Sequence, residues 1–313
     1  MMTKQHTLKE SFTLASKGLH TGLHITATFM PAPANHGLKI QRTDIEGHPI
    51  VECDARLVGD TQRGTVLVSG DIKISTIEHA MAALYAAGVD NCLIQLDGPE
   101  MPIMDGSAYY WTHAIEQVGL QEQDAERTHI VIDKVIEVEG PHGEHMRIEP
   151  DDHFSLEVTT DFGSSILGRM TASLHDFSEF PTEIASARTF VFVREIEPLL
   201  QLGLIKGGDL GNAIVIYEVE LNQERFDALT DKLGVSRMNA HQLGYLNPKP
   251  LTWPNETTRH KLLDVVGDLA LIRRPLIGKV TAYKPGHFIN NMFARAILES
   301  ADSDTNHLNP QNH

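Results

Sequence analysis

Residues 257–272 read TTRHKLLDVVGDLALI, and the pattern within them decides the fold. Leu262, Leu263, Val265, Val266 and Leu269 recur at the spacing of a helix that packs into an interior. His260, Asp264 and Asp268 stand four apart, on one stripe of that helix. A neutral imidazole and a carboxylate on successive turns can share one divalent ion. The same pair can also be a plain surface ion pair or an internal hydrogen bond. A second helix, STIEHAMAALYAAG at 75–88, opens with the same T-x-x-H. There Ser75 or Thr76 is expected to cap, which puts Glu78 and His79 in the first turn.

A catalytic zinc site has three protein ligands and an open position for water. His79, His260 and Asp264 supply that set if the two helix starts meet across an interface. Glu78 then stands beside the metal as a base for its water, although a Glu in a first turn also occurs simply for the helix dipole. Two nitrogens and a carboxylate suit Zn2+, one per chain, and Fe2+ can occupy the same set. A further histidine, His287 in TAYKPGHFINN, is read as lying in a loop after a strand. Protonated, it could hand a proton to a leaving amine, with Asp268 holding it charged. Structurally, His287 could equally be an ordinary loop residue and Asp268 part of a solvated face.

Working outward, the two helices belong to two similar halves. Residues 6–32 read as alternating segments around the KGLHTG turn, with HITATF (24–29) as a strand, followed by the 75–88 helix, the strand NCLIQLDG and a Pro- and Gly-rich lead into another helix. QEQDAER at 121–127 is polar and reads as a domain boundary. The strand–turn–strand pattern then begins again at residue 128. This implies a weak internal duplication and an α+β class: two domains of similar topology, each a sheet layered on helices, with the helices facing each other. The expected domains are 1–125, supplying Glu78 and His79, and 126–300, supplying His260, Asp264 and His287. A disordered tail is expected over 301–313, where no apolar pattern remains.

Composition restricts the function. A 41% hydrophobic content in 313 residues supports real cores. Acidic residues outnumber basic ones 42 to 26, a formal charge of −16, which argues against nucleic acid as a partner. Cys53 and Cys92 are far apart in sequence and are read as buried thiols rather than zinc ligands. The start lacks the apolar core of a secretion signal, and no apolar run reaches the roughly 20 residues of a membrane span. A soluble, cytoplasmic chain is expected.

STIEHAMAAL, PEMPIMDGSA, SARTFVF, RHKLLDVVGDL and TAYKPGHFINN, in this order, resemble the zinc-dependent UDP-3-O-acyl-N-acetylglucosamine deacetylases, the LpxC family of lipid A (lipopolysaccharide) biosynthesis. The resemblance covers about residues 7–298. It implies zinc on His79, His260 and Asp264, Glu78 as general base, and His287 as general acid supported by Asp268. It further implies Thr189 at the oxyanion, Lys261 beside substrate or oxyanion, and Phe190 and Phe192 as aromatics at the substrate. An acyl passage is implied near LLQLGLIKGGDLGNAIVIYE, Leu199–Glu218. The substrate class is a UDP-linked acyl-glucosamine, and a monomer is expected. A zinc amidase for another N-acyl substrate would share this site. Two departures stand out. The stretch between Asn222 and Thr257 is longer than in commoner members, with DKLGVSRMNAHQLGYLNPKPLTW as the apparent addition. The chain also ends near where some relatives continue into a β-hydroxyacyl-ACP dehydratase, so a single-activity form and a truncated fusion are both open.

Overall fold

The computed structural model describes residues 3–236 and 238–307. The first half runs β1 (Lys4–Leu8), β2 (Phe12–Lys17), β3 (His24–Pro31), β4 (Leu38–Arg42) and β5 (Ile50–Glu52). Three short strands follow, β6 (Val58–Asp60), β7 (Val66–Ser69) and β8 (Ile72–Ile74). Then come α1 (Glu78–Ala87), β9 (Cys92–Leu96), α2 (Tyr109–Val118) and β10 (Leu120–Glu126). The second half runs β11 (Ile130–Val131), β12 (Ile136–Glu139), β13 (His145–Glu149), β14 (Phe154–Asp161) and β15 (Arg169–Leu174). An insert follows: β16 (Phe190–Phe192), α3 (Val193–Gln201), β17 (Ile214–Tyr217), α4 (Gln223–Leu233) and β18 (Gly244–Tyr245). The half closes with α5 (Glu256–Ala270), β19 (Leu276–Tyr283) and α6 (His287–His307).

The duplication is plain in the sheets. One has the order β2-β3-β9-β4-β5 and the other β12-β13-β19-β14-β15, with β11 added beside β19. In both, the central strand is antiparallel to its second-strand neighbour and parallel to its third. Alternation buries one face of each: Ile25, Ala27 and Phe29 of β3, and Phe154, Leu156 and Val158 of β14. Helices cover those faces. Trp111 of α2 rests on Phe29, ring centroids 5.2 Å apart, and α5 lies on β14 and β15. Packing α1 against α5 joins the layers as sheet, helices, helices, sheet, with one continuous apolar interior.

The close approach of α1 and α5 has a local cause. A Cβ on Gly267 would lie 2.1 Å from the Glu78 carbonyl oxygen, so only glycine lets the backbones meet there. Cys53 and Cys92 are buried and unbonded.

Two readings need correction, and the polar stretch QEQDAER gains a structure: residues 120–126 form β10, paired antiparallel with β1, Leu8 opposite Leu120. A two-stranded ribbon leaves side chains in water, so polar residues suit it, and its backbone bonds are invisible to a hydropathy pattern. The tail is helical through His307, because no Gly or Pro interrupts α6 before Pro310; residues 308–313 lie outside the described residues. Neither Ser75 nor Thr76 caps α1, whose N-cap is Ile77 without a side-chain bond. Ser75 Oγ donates instead to the Pro99 carbonyl at 3.3 Å. Thr76, at φ +57°, donates to the buried Glu100 carboxylate at 3.1 Å. That left-handed residue turns the chain into α1, and Glu100 holds it in a conformation costing about 1–3 kcal/mol.

Candidate active site

The α1–α5 crossing brings the two T-x-x-H histidines together. His79 Nε2 lies 3.8 Å and His260 Nε2 3.4 Å from Asp264 Oδ1. The two rings meet edge to face with centroids 4.9 Å apart. One ligand-type atom from each of the three residues falls within 4.8 Å of the others. His260 Nδ1 lies 3.0 Å from the Ala187 carbonyl, which places its proton there and turns the lone pair of Nε2 toward Asp264.

These residues fit a divalent cation. Asp264 Oδ1 is buried without a hydrogen-bond partner, while Oδ2 accepts from Lys261 Nζ at 2.9 Å. Burial pushes the His79 pKa down to about 3, helped by His260 beside it, and burial also lowers His260. Burial works against the Asp264 carboxylate, yet His260, Lys261 and His287 hold its pKa below the usual carboxylate range. Two neutral imidazoles and one ionised, orphaned carboxylate oxygen are the donor set that zinc takes.

Glu78 sits one residue before His79 in the first turn of α1 and is 3% exposed. Burial raises its pKa to about 7 against the pull of His287. Its Oε2 accepts from the Thr65 backbone N–H at 3.0 Å. His287 comes from the other side, its Nε2 3.9 Å from Glu78 Oε1 and 4.0 Å from Asp264 Oδ2. It is the first residue of α6 rather than a loop residue, since Asn290 N–H already closes a helical turn onto the Gly286 carbonyl. His287 Nδ1 meets Asp268 Oδ2 at 2.9 Å. Burial opposes its charge, but Asp268, Glu78 and Asp264 outweigh that and raise its pKa to about 9.

Lys261 Nζ lies 5.5 Å from the Phe190 ring centroid. Thr189 and Phe190 line the same cleft, of about 1180 Å³, as Glu78, His79, His260, Asp264 and His287. Two backbone bonds fix Thr189: its N–H donates to Gly106 O and its carbonyl accepts from Ile214 N–H, both at 2.7 Å. Gly106 is required there, with φ +83° and a position where a Cβ would lie 2.0 Å from the Asn212 carbonyl oxygen. Phe192 is not on the cleft wall. It is buried behind Phe190 with Phe162, Ile214 and Ile216, because the strand face it shares with Phe190 is covered at that point.

Other residues complete the site unannounced. The Thr65 hydroxyl donates to Asp268 Oδ1, and Asn290 Nδ2 donates to Asp268 Oδ2 at 2.8 Å. Thr65 therefore touches both Glu78 and the His287–Asp268 pair. Arg188 and Glu256, 4% and 0% exposed, pair at 2.8 Å and lock the segment 187–189 before β16 onto the first turn of α5. Glu256 also accepts from the Thr252 N–H at 2.6 Å. Arg188 and Asn290 lie inside motifs quoted above, whereas Thr65 carries no sequence signal.

The chain has relatives along nearly its whole length. The profile for UDP-3-O-acyl N-acetylglycosamine deacetylase, LpxC, matches residues 5–229 and 234–299. The bifunctional enzyme LpxC/FabZ of Bacteroides thetaiotaomicron is 57% identical over 295 residues, which cover 94% of this chain and 64% of the relative. Its namesake from Porphyromonas gingivalis is 54% identical over 297 residues, 95% of this chain and 64% of the relative. The UDP-3-O-acyl-N-acetylglucosamine deacetylase of Myxococcus xanthus is 38% identical over 296 residues, 94% and 86% of the two chains. The chain thus spans just under two thirds of the length of the two bifunctional relatives. A match running through both duplicated halves and every helix that carries the cluster leaves one assignment: the chain belongs to the LpxC deacetylase family.

Proposed function

We propose that the protein is a zinc-dependent deacetylase. It hydrolyses the N-acetyl group of UDP-3-O-acyl-N-acetylglucosamine, giving acetate and UDP-3-O-acyl-glucosamine, in lipid A biosynthesis. The carrying observation is that the three-ligand cluster has Glu78 and His287 beside it, with no fourth protein ligand in the cluster among the described residues. A structural zinc site is normally closed by four protein ligands.

His79, His260 and Asp264 would hold the zinc, which supplies Lewis acidity and a water of lowered pKa when bound. Glu78 takes the proton from the attacking water. Its raised pKa makes it a base matched to neutral pH. Thr189, which lines the cleft, is assigned as the hydroxyl donor to the developing oxyanion, and Lys261 adds a positive charge nearby. His287, held protonated by Asp268, delivers a proton to the leaving amine nitrogen. Phe190 walls the cleft at the reacting end. The substrate's UDP moiety places the reaction in the cytoplasm. We assign residues 1–125 and 126–300 as two domains, and the matched stretch as the deacetylase part of a name shared with a dehydratase in the bifunctional relatives. No helix among the described residues is long and apolar enough to cross a membrane.

The test is hydrolysis of UDP-3-O-acyl-N-acetylglucosamine by the zinc-loaded chain, with acetate release measured directly. Zinc bound in the expected amount without acetate release would refute the reading.

A further inference from the structure

Thr65 meets the base and the partner of the acid from a third element. It ends the loop between β6 and β7, in the first half, and is 1% exposed. The loop is anchored at both ends. Asp60 Oδ1 accepts from the Gln62 N–H at 3.0 Å, and Leu67, fully buried, pairs with Val58. Thr61, Gln62 and Arg63 of this loop wall the cleft, but Thr65 itself does not. Its influence therefore passes through the groups it holds.

The backbone holds the base. The Thr65 N–H donates to Glu78 Oε2 at 3.0 Å, and a Cβ on Gly64 would lie 3.0 Å from Glu78 Oε1. The main chain thus runs directly against the carboxylate. With Oε2 engaged, Oε1 is the oxygen nearest His287 Nε2, at 3.9 Å.

The side chain holds Asp268. Two donors already meet Asp268 Oδ2: His287 Nδ1–H at 2.9 Å and Asn290 Nδ2 at 2.8 Å. A carboxylate held at one oxygen can still swing about it. The Thr65 hydroxyl donates to Oδ1 and fixes the plane. Its single proton is then used, and its oxygen, 3.2 Å from His287 Nδ1, is a second acceptor for that N–H. The imidazole is thereby clamped at Nδ1, and Nε2 is left facing Glu78 and Asp264.

We propose that Thr65 is a positioning residue for the reaction: its N–H aims Glu78, and its hydroxyl aims Asp268 and through it His287. One residue then fixes the distance and angle between base and acid. The inference rests on the deacetylase reading above. Misplacing a reacting group by about 1 Å can cost about 10²-fold in rate, so a residue outside the cleft can govern turnover.

The experiment uses the full zinc-loaded chain and UDP-3-O-acyl-N-acetylglucosamine, with acetate release measured. Thr65→Val keeps the shape and the N–H but removes the hydroxyl, Thr65→Ala removes it with less bulk, and Thr65→Ser keeps it. Zinc content and thermal melting identify the folded variants. Thr65→Val and Thr65→Ala should lower kcat by about 10–10²-fold with KM within about twofold of wild type. Thr65→Ser should recover kcat to within about threefold, although it lacks the methyl that Thr65→Val retains. Added to Asp268→Asn, Thr65→Val should cost less than about threefold more, because the hydroxyl acts through that carboxylate. A wild-type kcat in folded, zinc-loaded Thr65→Val or Thr65→Ala would overturn the proposal. So would a Thr65→Ser as slow as Thr65→Val, or a full further loss in the double variant. Each of these outcomes leaves the deacetylase reading intact, whereas a wild type that releases no acetate would overturn both.

Discussion

The two halves share a strand order and a helix placement but divide the chemistry unequally. Counting from the paired histidines, Asp264 and Asp268 of α5 correspond to Ala83 and Ala87 of α1. Lys261 corresponds to Ala80. One helix carries the polar stripe, and its twin offers small apolar residues that allow it to come close and cover that stripe. The inserts differ at the same topological point, between the fourth sheet strand and the ligand-bearing helix. In the first half this is the β6–β8 set, which brings Thr65 to Glu78 and Asp268. In the second it is the β16–β18 insert, which adds Phe190 and Val215 to the lining of the cleft. A duplicated scaffold thus supplies symmetry where the metal site needs two opposed helices, and asymmetry where acid, base and substrate must be told apart.

The sharpest way to break this comparison is at its shared element. His79→Ala and His260→Ala should each reduce bound zinc to trace levels and abolish acetate release, as measured by elemental analysis of the purified chain and by assay. Full zinc in either variant would show that the two histidines do not serve one site. Glu78→Gln should keep zinc and fold yet lower kcat by about 10²–10⁴; turnover near wild type would remove Glu78 from its role as base.

The next test contrasts the residues four before each histidine. Glu256 is buried in an ion pair with Arg188, whereas Ser75 makes only a 3.3 Å bond to a carbonyl. Glu256→Gln should cost about 3–5 kcal/mol in denaturant melts, because it strands a buried guanidinium. Ser75→Ala should cost about 1 kcal/mol. Equal losses would mean that the second half gains nothing from its buried pair. Gly267→Ala should cost about 1–3 kcal/mol by forcing α5 off the Glu78 backbone, measured in the same melts.

The mildest effect is on pH dependence. Activity should fall below about 7 as Glu78 gains a proton and above about 9 as His287 loses one, roughly tenfold per pH unit. Bound zinc draws the acid limb lower, since its charge favours the Glu78 carboxylate. His287 releases its proton near 6.5 when unfolded and near 9 when folded. Its contribution to stability is therefore complete below 6.5 and is lost as pH rises through 9. A metal-free chain whose melting temperature does not fall across that window would contradict the His287–Asp268 pairing.

Periodicity on its own marked α1 and α5, the polar stripe on α5 and a weak repeat of strand–helix order, because each is a local pattern written in consecutive residues; the family resemblance turned that stripe into expected ligands. The histidine and carboxylate candidates were visible for the same reason. What the pattern could not carry were partners distant in sequence. Thr65 lies 203 residues from Asp268, and Arg188 lies 68 from Glu256. Phe192 reads like Phe190 in a strand, but only the packed insert shows which of the two reaches the cleft. QEQDAER forms a strand that composition could not reveal, because a polar ribbon strand and a linker share one composition.

The sequence by itself determined which residues could ligate and which helices would be buried, and it pointed to a weak internal duplication. Tertiary structure alone decided that the two helix starts face each other at a glycine, and that His287 is charged while His79 and His260 are neutral. It also decided which residues of the insert reach the cleft that holds the site. The reason is physical: periodicity follows from the geometry of one helix or strand, whereas protonation and cavity shape depend on burial and on charges brought together by distant parts of the chain.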